Sequence, residues 1–257
     1  MHDFVAEKDA TFYVDKDAFI PKLEKAGKVV ALLRPHGWGK SVVLSMLFEY
    51  YDCDTADKPF VRVSGGDTAL AHSFTMLAID LGGIAAAADG TASEHDKEVA
   101  IRAALDAQVL EDVKTYMYCY DVPATVLTEP TNPKRCLKDL GWWAFERGTP
   151  MYVLVDGCDA PVRHAVMHPS ARAVGSLARG PLSAFYALFK ELVVGGWVAR
   201  MFLTGTFAVA PRAMQPCPHT ATSPHTNVQA SHRSASMPWR RHSTSIATCR
   251  RRRSSTG

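Results

Sequence analysis

Val29-Val30-Ala31-Leu32-Leu33-Arg34-Pro35-His36-Gly37-Trp38-Gly39-Lys40-Ser41-Val42-Val43-Leu44 is the stretch on which the fold turns. Its first five residues form an unbroken apolar run, the pattern of a strand covered on both faces in a parallel sheet. Arg34-Pro35 ends the run, and Gly37 and Gly39 lie in the turn that follows. From Lys40 onward, Val43, Leu44, Leu47 and Tyr51 fall near the i, i+4 spacing of a helix that runs to about Tyr51.

A strand, a glycine-bearing turn and a helix in that order form a phosphate-binding device when the turn reads G-x-x-x-x-G-K-[ST]. Backbone N–H groups and the helix N-terminus then face the anionic oxygens. Gly39, Lys40 and Ser41 meet the second half of the pattern, while Arg34 stands at its first glycine. In this geometry Gly39 lets the backbone approach a phosphate, Lys40 neutralises the β and γ oxygens of ATP, and Ser41 offers its hydroxyl to Mg²⁺. Such a site also needs an acid at the end of a neighbouring strand to hold the metal. Tyr152-Val153-Leu154-Val155 followed by Asp156 supplies one. The residue after that aspartate, which in active ATPases of this type is a water-polarising glutamate, is Gly157.

Outward from these segments, strands alternate with helices. Residues 12–14 predict a short strand and 17–26 a helix with Phe19, Ile20 and Leu23 on its apolar side. Residues 74–81 predict a strand ending at Asp80-Leu81-Gly82-Gly83, and helices are expected over 94–108, 133–145 and 182–194. Residues 198–203 predict a last strand that delivers Thr204. The alternation implies an α/β fold of the P-loop NTPase type, a mostly parallel sheet flanked by helices.

Charge divides the chain. All 26 acids precede Pro211, whereas eight of the 29 basic residues follow it, all arginines. A domain over 1–210 and a disordered basic tail over 211–257 are therefore expected, since Pro, Ser, Thr, His and Arg dominate after Pro211 and apolar residues are too sparse to offset the entropy of ordering. The tail, with Arg240, Arg241 and Arg250 to Arg253, is a candidate surface for nucleic acid or a protein partner. The six cysteines are scattered without a C-x-x-C pair, which argues against a zinc ribbon or a disulfide framework. The N-terminus lacks the basic start and apolar run of a secretory leader, and Arg200 interrupts the most apolar stretch, residues 193–210. An intracellular protein that does not cross a membrane is the expectation.

Four segments, in order, resemble the predicted AAA-ATPase-like family: Phe12-Tyr13-Val14-Asp15-Lys16, Leu33 through Ser41, Val155-Asp156-Gly157-Cys158-Asp159-Ala160-Pro161, and Phe202-Leu203-Thr204-Gly205. That family typically reads YVDKT, RPRRFGKS, LIDEYDxP and a strand ending in TG, so Arg34, foreign to the generic loop, is at home in it. The resemblance covers roughly residues 1–210. It implies nucleotide binding by Arg34, Gly37, Gly39, Lys40 and Ser41, metal binding by Ser41 and Asp156, and a catalytic pair in Asp156 and Thr204, the latter as a sensor of the γ-phosphate. His36-Gly37-Trp38 replaces Arg-Arg-Phe, and Gly157-Cys158 replaces Glu-Tyr. Both changes spare binding more readily than hydrolysis. Two functions thus follow: an ATP-binding protein with weak hydrolysis, or a nucleotide-binding scaffold or nucleic-acid-associated protein acting through its tail.

Other signals have plainer explanations. His164 and His168 are four apart, but Ala165 stands where a zinc protease has its glutamate, so two surface histidines are expected. Trp142 and Trp143, which with Phe145 could offer a base-stacking platform, are expected instead to bury two large rings against the sheet. Asp159 is expected to cap the following turn or to orient Arg163.

Overall fold

The structure, a computed structural model, describes residues 17–55, 66–84, 93–167 and 180–206. The expected strand over 12–14, the tail over 211–257 and His168 lie outside the described residues, as does the side chain of His164.

A turn of 3₁₀ helix, Asp17–Phe19, leads into α1, Ile20–Ala26. Strand β1, Val29–Leu33, is followed by α2, Lys40–Tyr51, then β2, Thr75–Asp80. Helix α3 spans Glu94–Cys119 and α4 spans Pro133–Glu146. Strand β3 is Met151–Asp156, α5 is Ala160–Met167, α6 is Pro181–Val194 and β4 is Arg200–Gly205. The strands form one four-stranded sheet in the order β1-β4-β3-β2, every pair parallel.

Local chemistry accounts for several boundaries. The Ser93 side chain accepts from Asp96 N–H to start α3, and Asn132 accepts from Arg135 N–H to start α4, with Pro133 in its first turn. Helix α3 continues eleven residues beyond the expected end at Gln108. Its buried residues Ile101, Leu105, Val109, Val113 and Tyr116 keep the helical spacing throughout, so tertiary packing extends it where the polar sequence gives no stop signal. Strand β4 starts two residues later than expected and contains Thr204 rather than ending before it.

Alternation along the strands creates two cores. Leu77, Ile79, Val153, Val155, Met201 and Leu203 pack with residues of α3, α4 and α6. Met76, Tyr152, Leu154 and Phe202 face the other way, onto α1 and α2. β3 is buried from Met151 to Val155, as a central strand must be, and only Asp156 at its end is half-buried. β1 is less covered than its apolar run implies: its flanking residues are half-buried and Ala31 is exposed, because among the described residues it pairs on one side only, with β4.

The two tryptophans of α4 separate. Its buried residues Cys136, Leu137, Leu140, Gly141 and Ala144 define one stripe, from which position 142 points away. Trp143 packs against the core with the Arg147 guanidinium 4.5 Å from its ring centre, whereas Trp142 stays 49% exposed beside Trp197 and Phe145. The expectation that both rings are buried is thus corrected for Trp142.

A polar link joins the far end of α2 to the sheet. Tyr120 Oη donates to Asp52 Oδ1 at 2.8 Å and accepts from Met76 N–H at 2.8 Å. Burial pushes the Asp52 carboxyl up from 3.8 to about 6, against the opposing effect of the Tyr120 hydrogen bond. A raised carboxyl favours the fold most when protonated, so this contribution is complete below pH 3.8 and lost as pH rises through about 6. The loss amounts to ~3 kcal/mol at 1.36 kcal/mol per unit. Asp52→Asn keeps an acceptor for Tyr120 and removes the ionisation. The variant should therefore gain on the native chain by ~2 kcal/mol between pH 4.5 and pH 8 in urea unfolding, the first ~1 kcal/mol of the loss lying below pH 4.5. An unchanged difference between the two proteins at both pH values contradicts this.

Candidate functional site

Parallel strands deliver their carboxyl ends to one edge, and the residues singled out in the sequence gather there. Asp156 closes β3 and is their centre. Ser41 Oγ, in the first turn of α2, donates to Asp156 Oδ2 at 2.5 Å across 115 residues of sequence. The Thr204 hydroxyl donates to Asp156 Oδ1, and Gly157 N–H reaches the same oxygen at 2.8 Å. Each carboxylate oxygen therefore has a donor, which fixes the plane of the carboxyl group. Thr204 is fully buried behind this group. In this arrangement it positions Asp156.

The loop before α2 is exposed from Arg34 to Trp38. Its end at β1 is tied to β4 by Arg34 N–H donating to Gly205 O at 3.0 Å. Gly37 and Gly39 have φ of 81° and 69°, the left-handed region that suits glycine, and Gly39 immediately precedes the helix. Lys40 folds back over the loop, donating from Nζ to Arg34 O and Pro35 O, each at 3.0 Å. An ammonium has three N–H donors, so a third remains to meet an anion. The Arg34 guanidinium donates to Leu33 O. Trp38 is 64% exposed.

Beside Ser41 and Asp156 opens a cleft of about 580 Å³, lined also by Leu44, Ala78, Ile79, Asp80, Leu154 and, from α3, Asp112 and Thr115. Three of these polar residues were not singled out as site residues. Asp80 had a signal: like Asp156, it ends an apolar strand, and the two are register partners. Asp112 and Thr115 had none, since α3 reaches the cleft only through packing. Burial pushes the Asp112 carboxyl up to about 6, with the nearby charge of Asp80 acting in the same direction and a Gln108 hydrogen bond opposing. Among the described residues no group of three His, Cys, Asp or Glu side chains is arranged to hold a metal ion by itself.

The segment after Asp156 turns inward. Cys158 and Asp159 are fully buried. Burial pushes the Cys158 thiol up to about 12, so it stays protonated, and its carbonyl accepts from Tyr186 Oη at 2.6 Å. The carbonyl of Asp159 accepts from Arg163 N–H at 2.8 Å, in the first turn of α5. The Arg163 guanidinium reaches Thr206 Oγ1 at 3.4 Å.

The family model described as Predicted AAA-ATPase matches residues 2–214, and the chain belongs to this AAA-ATPase-like family. Neither a curated protein nor a solved structure matches it significantly. Among the described residues no helix is long and apolar enough to cross a membrane.

Gly157 adopts φ of 64°, and a Cβ there would lie 3.5 Å from Ala160 Cβ and 3.6 Å from Gly82 N. Space permits a side chain, but the backbone conformation disfavours one by ~1–2 kcal/mol. Placing glutamate here to imitate the family pattern thus carries a strain that the sequence does not reveal. Gly157→Ala should lower the unfolding free energy by ~1–2 kcal/mol in urea titration; an unchanged or higher midpoint would show that the turn relaxes freely.

Proposed function

We propose that the chain binds ATP with Mg²⁺ through the loop Arg34 to Ser41 and through Asp156, and that it hydrolyses the nucleotide slowly. The observation that carries this reading is the Ser41 to Asp156 hydrogen bond. By giving its proton to the carboxylate, the Ser41 hydroxyl turns its lone pairs outward, the orientation a cation needs. The donor set of hydroxyl and carboxylate oxygens, both hard ligands, suits Mg²⁺. Mg²⁺ would supply charge neutralisation between the β and γ phosphates.

The remaining residues have matching tasks. Gly39 and the first turn of α2 would present backbone N–H groups to the phosphates, Lys40 its remaining N–H, and Thr204 would keep Asp156 aligned. Arg34 and Gly37 complete the loop, and residues 1–210 are taken as the nucleotide-binding unit. Slow turnover follows from Gly157, which has no side chain to orient water and whose conformation resists one. A protein that holds ATP longer than it cleaves it works as a nucleotide-dependent switch or scaffold. The eight arginines after Pro211 would give such a switch a surface for an anionic partner.

Mg²⁺ and ATP at 100 times the dissociation constant should stabilise the protein by about 2.7 kcal/mol, seen as a rise in melting temperature. Lys40→Ala should abolish that rise while its melting without nucleotide stays near native, because the Lys40 ammonium bonds to carbonyls of the exposed loop and not to the core. Equal responses of the two proteins to ATP would refute nucleotide binding at this loop. Single-turnover hydrolysis below ~1 per second, under the range of competent enzymes, is the companion expectation.

A further inference from the structure

Asp80 ends β2 as Asp156 ends β3. The pair is locked side by side: they are register partners, and the ladder continues past them with Leu81 N–H donating to Asp156 O at 3.0 Å. Asp80 is exposed to the cleft that Ser41 and Asp156 line. Gly82 N–H holds its Oδ1 at 2.7 Å, and among the described residues no donor takes Oδ2. A short side chain anchored by one oxygen has one remaining acceptor in a set direction. The other acids near Asp156 are worse placed: Asp159 is fully buried, and Asp112, across the cleft on α3, has both carboxylate oxygens taken by Gln108 Nε2 at 3.1 Å.

We infer that Asp80 is the carboxylate that orients the attacking water, taking from the adjacent strand the task that Gly157 leaves undone. The inference rests on the nucleotide reading above. In the reaction, the water oxygen bonds to the γ-phosphorus while the bond from that phosphorus to the β,γ-bridging oxygen breaks. ADP leaves with the electron pair, and the water proton ends on inorganic phosphate. Asp80 accepts a hydrogen bond from the water and is unchanged at the end. Its place one strand away from Asp156 makes it a weaker substitute for a residue beside the metal acid, so turnover through it is expected to be slow.

The test uses the full chain and Asp80→Asn, which keeps an oxygen for Gly82 N–H. Equilibrium binding of Mg²⁺ and ATP, the melting shift with Mg²⁺ and ADP plus beryllium fluoride or aluminium fluoride, and single-turnover hydrolysis are measured on both proteins. Beryllium fluoride imitates the bound γ-phosphate, whereas aluminium fluoride also requires the in-line water. The variant should bind ATP and the beryllium complex within about twofold of native, lose tenfold or more in affinity for the aluminium complex, and hydrolyse ~10²-fold or more slowly. Equal hydrolysis by the two proteins, or native binding of ATP with no turnover, overturns the role of Asp80 and leaves nucleotide binding standing. Absence of ATP binding by the native chain overturns the nucleotide reading itself, and the role of Asp80 with it. Should Asp80→Asn fail to fold, Asp80→Ser is substituted and the same split between binding and turnover applies.

Discussion

A half-buried carboxylate must be hydrogen-bonded or it opposes folding, and Asp156 meets that demand with donors from three places. Ser41 comes from α2, Thr204 from β4, and the third donor is the N–H of Gly157. Hydrogen bonds to a charged acceptor contribute ~1.5–3 kcal/mol each. More important is what they align. The first turn of α2 is held over the tip of β3, and β4 must lie directly beside β3 for Thr204 to reach. The order β1-β4-β3-β2 satisfies both, with the loop-bearing strand next to β4.

The rest of the architecture supports that alignment. Since all four strands run the same way, their connections climb through helices that cover both faces of the sheet. Two separate apolar cores result, and β3 belongs to both through its alternating residues. The carboxyl edge is left to loops that need not bury their polar groups, which is where ligand chemistry is affordable to the fold. Helix α3, long enough to pass the sheet, brings Asp112 and Thr115 to that edge and closes the side of the cleft away from β1.

One departure from the family pattern, Gly157-Cys158, falls where this geometry is tight, while His36-Gly37-Trp38 lies in the exposed loop. The turn after Asp156 needs a left-handed residue at 157 and a small buried one at 158, and Gly-Cys meets both. Thr204 is fully buried, and its hydroxyl donates to the Asp156 carboxylate. Trp142 and Phe145, nearly half exposed with Trp197 close to Trp142, lie on α4, whose last turn leads into the amino end of β3, the opposite end from Asp156.

The sequence by itself determined the alternating α/β pattern, the strand, turn and helix around Lys40, and the family, because these depend on apolar runs, glycine placement and short motifs that act within a few residues of one another. It also marked Ser41, Asp156 and Thr204 for one site, since motif order implies a shared strand edge. Only the tertiary structure decided which acids share the cleft, that Trp142 turns outward, that β1 is half-covered and that Gly157 is left-handed. Those features depend on which strands become neighbours and how far a helix is carried by packing. Contacts between residues dozens of positions apart set them, and no local pattern in the chain encodes that choice.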